Sequence, residues 1–272
     1  MIELKAFKKI LRKNQMELKK LVELYLKRQN YNPIVGDGFV YAIGDIPILL
    51  VAHMDTVHIT SPSNIFFDPY EKVLWSPQGI GGDDRCGVFA ILKLLKKYKP
   101  YVLFTEDEEK GGIGAYKAVS QIVKPNVNFI IEIDRRGSND CVFYDCENQE
   151  FQEYIESFGF KTAIGTFSDI CTLSDEWDIA SVNLSSGYYN EHTRYEYIKL
   201  DDLEKTINRV AEILEDENSK YYDYQQKKYV WNNKSNTHTY EDDYGYLDEN
   251  DAWHWWDEES YKAYQRDYDD FL

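Results

Sequence analysis

Along residues 2–28, Leu4, Phe7, Leu11, Leu18, Leu21, Val22 and Tyr25 recur mostly three, four or seven positions apart among lysines and glutamates. That is the period of a helix with one apolar face, and it predicts an amphipathic helix packed on a sheet. The pattern then changes. Residues 48–52, 101–105, 127–133 and 179–184 are short, strongly apolar runs rich in Val, Ile, Leu or Phe. Brief and without a polar face, they are predicted to be strands buried on both sides, as in a parallel or mixed sheet. A strand pair is predicted around Phe66 to Trp75, and helical spacing occupies 86–97, 113–122, 149–157 and 200–215. The alternation predicts a layered α/β fold, a three-layer sandwich whose mixed, mostly parallel central sheet is flanked by helices.

No internal repeat is visible, and no linker divides residues 1–216. Near Lys220 the composition shifts: residues 221–272 hold ten Tyr, four Trp and one Phe, with 13 acidic against 5 basic residues, and aliphatic side chains almost vanish. The expected organisation is therefore one domain over residues 1–218 and an acidic, Tyr- and Trp-rich appendage over 219–272. Disordered segments are usually poor in aromatics, so the appendage is expected to pack its rings on its own domain or to meet a partner protein.

At 272 residues the chain can bury a substantial core without covalent staples. Its formal charge of −17, from 31 basic and 48 acidic residues, repels phosphate backbones and anionic headgroups, which argues against nucleic-acid and membrane partners. Cys86, Cys141, Cys146 and Cys171 are too sparse for a disulfide framework and read as reduced thiols. The opening MIELKAFKKILRKNQ lacks the apolar stretch of a signal peptide, and no run approaches a membrane span, so a cytoplasmic location is expected.

The candidate chemistry lies where the predicted strands end. Ligand sites in open α/β sheets form beyond the carboxyl ends of the strands, because loops converge there over a rigid platform. The first apolar strand runs into His53-Met54-Asp55, the second into Glu106-Asp107-Glu108-Glu109, the third ends at Asp134, and the fourth leads to Glu191-His192. Between the first two lies Gly79-Ile80-Gly81-Gly82-Asp83-Asp84-Arg85-Cys86-Gly87, a glycine-rich turn that delivers two carboxylates to the start of a helix. Each segment alone has an ordinary structural reading: a satisfied core histidine at 53, a helix cap at 83 and 84, a solvated turn at 108 and 109. Together they are hard to ascribe to chance, because accidental acids scatter over a surface. His53 and Asp55 stand two apart, so an extended segment points both to one face, where Asp55 can orient the imidazole.

The strings HMDT (53–56), GGDDRCG (81–87), DEEKGGIGA (107–115), EIDR (132–135) and NEHTRYE (190–196) resemble the five ordered motifs of the co-catalytic di-zinc exopeptidases. That clan includes peptidase T, the aminoacylases and the zinc aminopeptidases, and the resemblance covers roughly residues 45–215. It implies that His53, Asp83 and Asp134 hold one zinc, that Asp83, Glu109 and His192 hold the other, and that Asp83 bridges. It further implies a cis peptide after Asp83 and a general base at Glu108. Imidazole and oxygen ligands suit two zinc ions, with cobalt or manganese also compatible.

The resemblance implies a hydrolase of peptide or amide bonds, an aminopeptidase or dipeptidase acting on a peptide. A deacylase or amidase acting on an N-acyl amino acid, or a binding protein on the same scaffold, are the alternatives. Ser168-Asp169 and Gly187 fall where relatives place pocket-lining loops, and Arg194 is placed to meet a substrate carboxylate or to form a surface ion pair. His58, Cys86, Cys141 and Cys146 are left outside the metal set. Many relatives insert a second domain, but here the intervals 54–82 and 135–191 are too short for one, so a compact, lidless domain is expected, with the aromatic tail as a candidate cover for the cleft.

Overall fold

Asn14 divides the N-terminal amphipathic stretch into two helices, α1 (Leu4–Leu11) and α2 (Gln15–Arg28). Its side chain accepts the Glu17 N–H at 2.9 Å, and the Glu17 carboxylate accepts the Asn14 N–H at 3.3 Å, a reciprocal cap that starts α2 afresh. The single helix expected over 2–28 is corrected accordingly. α2 contacts the sheet, and α1 packs on the helix that carries Phe89, its Phe7 ring stacking on Phe89 with centroids 4.5 Å apart.

The computed structural model describes residues 2–227, together with the backbone of a strand pair at Tyr246–Leu247 and Trp253–His254. After α2 come β1 (Ile34–Gly36), β2 (Phe39–Ala42), β3 (Ile46–His53), β4 (Phe66–Asp68), β5 (Val73–Trp75), α3 (Gly82–Leu94), β6 (Pro100–Thr105), α4 (Ile113–Gln121) and β7 (Phe129–Arg135). The chain continues through β8 (Asp140–Val142), α5 (Gln149–Ser157), β9 (Lys161–Thr162), α6 (Asp169–Trp177), β10 (Ser181–Ser185), β11 (Tyr188–Tyr189), β12 (Tyr197–Lys199) and α7 (Leu200–Glu215).

The central sheet has the order β1-β2-β6-β3-β7-β10-β8-β9. Its middle strands β6, β3, β7 and β10 are parallel, while β1, β2 and β8 join antiparallel, so the sheet is mixed and mostly parallel as the apolar runs predict. Strand alternation divides the core. Ile48, Leu50, Ala52, Phe129 and Ile131 pack with α1, α2, α3, α5 and α7, whereas Leu49, Val51 and Ile130 pack with α4 and α6 on the opposite face. A second, smaller sheet, β11-β12-β5-β4, is antiparallel throughout and includes the predicted strand pair. Among the described residues no helix is long and apolar enough to cross a membrane.

The chain separates into two units, Met1–Lys227 and Lys228–Leu272. Residues 219–227 belong to the first unit. Tyr222 donates its N–H to Asn128 O at 2.9 Å and accepts from Ala180 N at 3.0 Å, and its buried ring lies 5.2 Å from Phe151 and 5.6 Å from Tyr154. In the second unit Tyr246 pairs with His254 and Leu247 with Trp253, antiparallel. The remainder of the aromatic tail, and with it the cover expected over the cleft, lies outside the described residues.

Candidate metal centre

The parallel strands all present their carboxyl ends at one edge, and the candidate donors gather there. His53, the last residue of β3, is fully buried between carboxylates. Its Nδ1 lies 3.2 Å from Asp55 Oδ1, which directs Nε2 toward Asp83 Oδ1 at 3.0 Å and Asp134 Oδ1 at 3.5 Å. The other oxygen of Asp83, Oδ2, lies 3.1 Å from His192 Nε2, and that nitrogen is also 3.1 Å from Glu109 Oε2. Glu108 Oε2 approaches His53 Nε2 to 3.9 Å. Three overlapping sets of donor atoms result, each within 4.8 Å: His53, Asp83, Asp134; Asp83, Glu109, His192; and His53, Glu108, Glu109. All five residues assigned as ligands from the sequence, and both residues assigned to catalysis, therefore meet.

Local backbone geometry makes this convergence possible. Gly81 enters α3 with φ +66, and neither Asp83 nor Asp84 is helical. The peptide joining them is cis, as the resemblance implies. Asp84 Oδ1 accepts the Gly87 N–H at 2.8 Å, so Asp84 caps the helix and Asp83 is left to face the imidazoles. After β6 the chain passes through left-handed Asp107 into a short 3-10 turn, Glu108–Lys110. The Asp55 carboxylate accepts both Glu108 N–H and Glu109 N–H at 3.1 Å. One side chain thus orients His53 and fixes the Glu108-Glu109 turn. Buried Arg85 binds the same region by donating to the carbonyls of Met54, Asp55 and Lys13.

The electrostatics describe a site short of positive charge. Burial raises the carboxyl of Glu108, and burial with the Asp83 charge raises Asp134 to about 7. Burial opposes charge on His53, yet Asp134, Asp55 and Asp83 hold its proton well above the ordinary imidazole range. Hydrogen bonding to Asp83 and Glu109 pushes His192 up to about 11. Glu109 Oε1 is buried and has no hydrogen-bond partner. A divalent cation fits this donor set, since it takes the same lone pairs and relieves the repulsion.

Ser168 and Asp169 are both fully buried at the start of α6, where Thr105 Oγ1 donates to Asp169 Oδ2. Gly187, at φ +86, packs its backbone against Leu203 N, where a Cβ would lie at 2.6 Å. Arg194 stacks 4.8 Å over the Tyr195 ring. Cys86, Cys141 and Cys146 are buried, and among the described residues no cysteine joins a metal-compatible cluster. Two acids were missed. Glu132 is wholly buried beneath Asp134 with neither oxygen partnered, and Glu196 accepts three hydrogen bonds behind Asp83. The available signals were the i, i+2 acids of Glu132-Ile133-Asp134 and the glutamate four residues after His192.

No protein-family model matches the sequence, and no curated protein matches it. Solved structures do resemble it. The aminopeptidase PepT from Bacillus cereus ATCC 10987 superposes with a TM-score of 0.63 at 13% identity, over 78% of this chain and 96% of that one. A tripeptidase from Staphylococcus aureus gives 0.64 at 14%, over 78% and 96%. The fold is that of the aminopeptidases. The Pyrococcus horikoshii TET1 peptidase, which can assemble into a tetrahedron or a large octahedral shell, shares the fold at a TM-score of 0.57 and 15% identity, over 74% of this chain and 94% of its own. The aminopeptidase fold thus agrees with the clan that the five motifs resemble.

Proposed function

We propose that this aminopeptidase-fold chain is a two-metal exopeptidase that removes residues from small peptides, with zinc as its cation. The observation that carries the reading is the shared carboxylate: Asp83 presents one oxygen to His53 and the other to His192, each at about 3 Å. A carboxylate so placed is suited to bridging two cations. His53, Asp83 and Asp134 would hold one, and Asp83, Glu109 and His192 the other.

When bound there, cations would polarise a scissile carbonyl and lower the pKa of a nearby water. Glu108 Oε2, at the edge of the cage, would take a proton from the attacking water and deliver it to the nitrogen of the departing amine. Asp55 keeps the imidazole of His53 oriented and holds the Glu108 backbone in place. A cavity of about 460 Å³ opens beside Glu109 and Asp55, with Ile59, Asp107 and Lys110 on its walls, and offers the space a short peptide needs.

Metal analysis of the purified protein, followed by a screen of aminoacyl, di- and tripeptide and N-acyl substrates with and without chelator, tests the reading. The expected result is two zinc ions per chain and chelator-sensitive release of free amino acids from peptides. Cleavage of N-acyl amino acids alone would replace it with a deacylase, and absence of both metal and turnover would remove it.

A further inference from the structure

Glu196 belongs to none of the metal-compatible sets, yet its carboxylate is the point where three donor-bearing segments meet. Oε1 accepts the Asp83 N–H at 2.9 Å, and Oε2 accepts the Gly81 N–H at 2.8 Å and faces His58 Nε2 at 3.0 Å. Gly81 and Asp83 lie in the turn that presents Asp83. His58 lies in the segment that leaves β3 after His53, and Glu196 itself closes the loop that carries His192. The packing leaves no slack. A Cβ on Gly82 would lie 2.8 Å from Tyr188 Cβ and 3.1 Å from Glu196 Oε1, and one on Gly79 would lie 2.1 Å from the His58 ring.

We propose that Glu196 is a positioning residue for the metal centre, fixing the pose of the Asp83 carboxylate through the backbone of its turn, with His58 holding Glu196 in register. A carboxylate only accepts hydrogen bonds, so it can satisfy two backbone N–H groups and an imidazole N–H at once. An amide in its place turns an NH₂ group toward one of those donors. Buried bonds to an ionised acceptor are stronger than neutral ones, and misplacing Asp83 disturbs both cations because both would use it. Partners that orient metal ligands without touching the ion typically change affinity by about 10–100-fold.

The inference rests on the proposed metal centre, and its test reads cation binding rather than turnover. Zinc affinity is measured by competition with a chromophoric chelator in wild type, E196Q and H58A, with far-UV circular dichroism reporting the fold and the visible bands of the cobalt(II)-loaded proteins reporting ligand geometry. Folded E196Q is expected to bind both cations about 10–100-fold more weakly and to shift the cobalt bands. H58A keeps both backbone bonds to Glu196, so a smaller loss with the same spectral change is expected, and it decides the matter should E196Q not fold. Wild-type affinity and unchanged cobalt bands in a folded variant overturn the positioning role alone. Wild-type protein that takes up neither zinc nor cobalt overturns the metal centre and this role with it.

Discussion

At Asp83 the two oxygens of one carboxylate face two different imidazoles, while its backbone N–H is held by Glu196. Division of labour between neighbours recurs across the site: Asp84 caps the helix that Asp83 precedes, and Glu109 faces His192 while Glu108 faces His53. Because Glu108 stands outside the two proposed ligand trios, Glu108→Gln is expected to retain both cations yet lose roughly 10²–10⁴-fold in turnover, measured by paired metal analysis and kinetics. Near wild-type turnover in that variant would rule out the assigned base. Asp55 differs, since it supports His53 and the Glu108-Glu109 turn together. Asp55→Ala is expected to weaken cation binding by about 10–100-fold and to reduce activity in parallel, read by chelator competition; loss of activity with intact affinity would place Asp55 elsewhere in the mechanism.

At the scale of elements, Asn14 decides where α2 begins. Replacing it with alanine removes the side-chain acceptor for Glu17 N–H and is expected to cost about 1 kcal/mol in urea unfolding, and a midpoint unchanged from wild type would mean that the cap contributes nothing. The same residue marks a limit of the sequence reading. Asn14-Gln15-Met16-Glu17 carries the capping signature, but the apolar period on either side of it suggested one uninterrupted helix. Long or wholly apolar elements were legible: α5 and α7 keep the predicted limits, and the four buried runs lie within β3, β6, β7 and β10 or close to them. The hairpin of β1 and β2 and helix α6 were not, because three- and four-residue strands lack a full period and Asp169–Trp177 mixes polar Asp169, Thr172 and Ser174 into its buried face. For the site, ligating side chains at strand ends were readable from residue type and order. Glu196 and Glu132 were not, since what distinguishes them from other acids is burial, which arises only once distant segments pack.

For the whole molecule, the described unit extends beyond the domain limit expected at residue 218. Tyr222 fills a ring cluster with Phe129, Phe151 and Tyr154, so a chain ending at Lys220 should be about 3–5 kcal/mol less stable than one ending at Lys227, the range for deleting a buried aromatic side chain. Equal melting temperatures for the two truncations would deny Tyr222 that role. The donors themselves come from stretches as distant as His53 and His192, and they meet only when every parallel strand of the central sheet is in register. Zinc would therefore be a ligand of the native state and not of the unfolded chain, adding about 2.7 kcal/mol at a free concentration 100 times its Kd. A chelator is expected to lower the melting temperature, and a transition indifferent to it would count against the cage. On this view the ions would act as a latch across the mouth of the sheet: when metal is scarce the protein would weaken as a body, and its turnover by proteases would rise as its own chemistry stops.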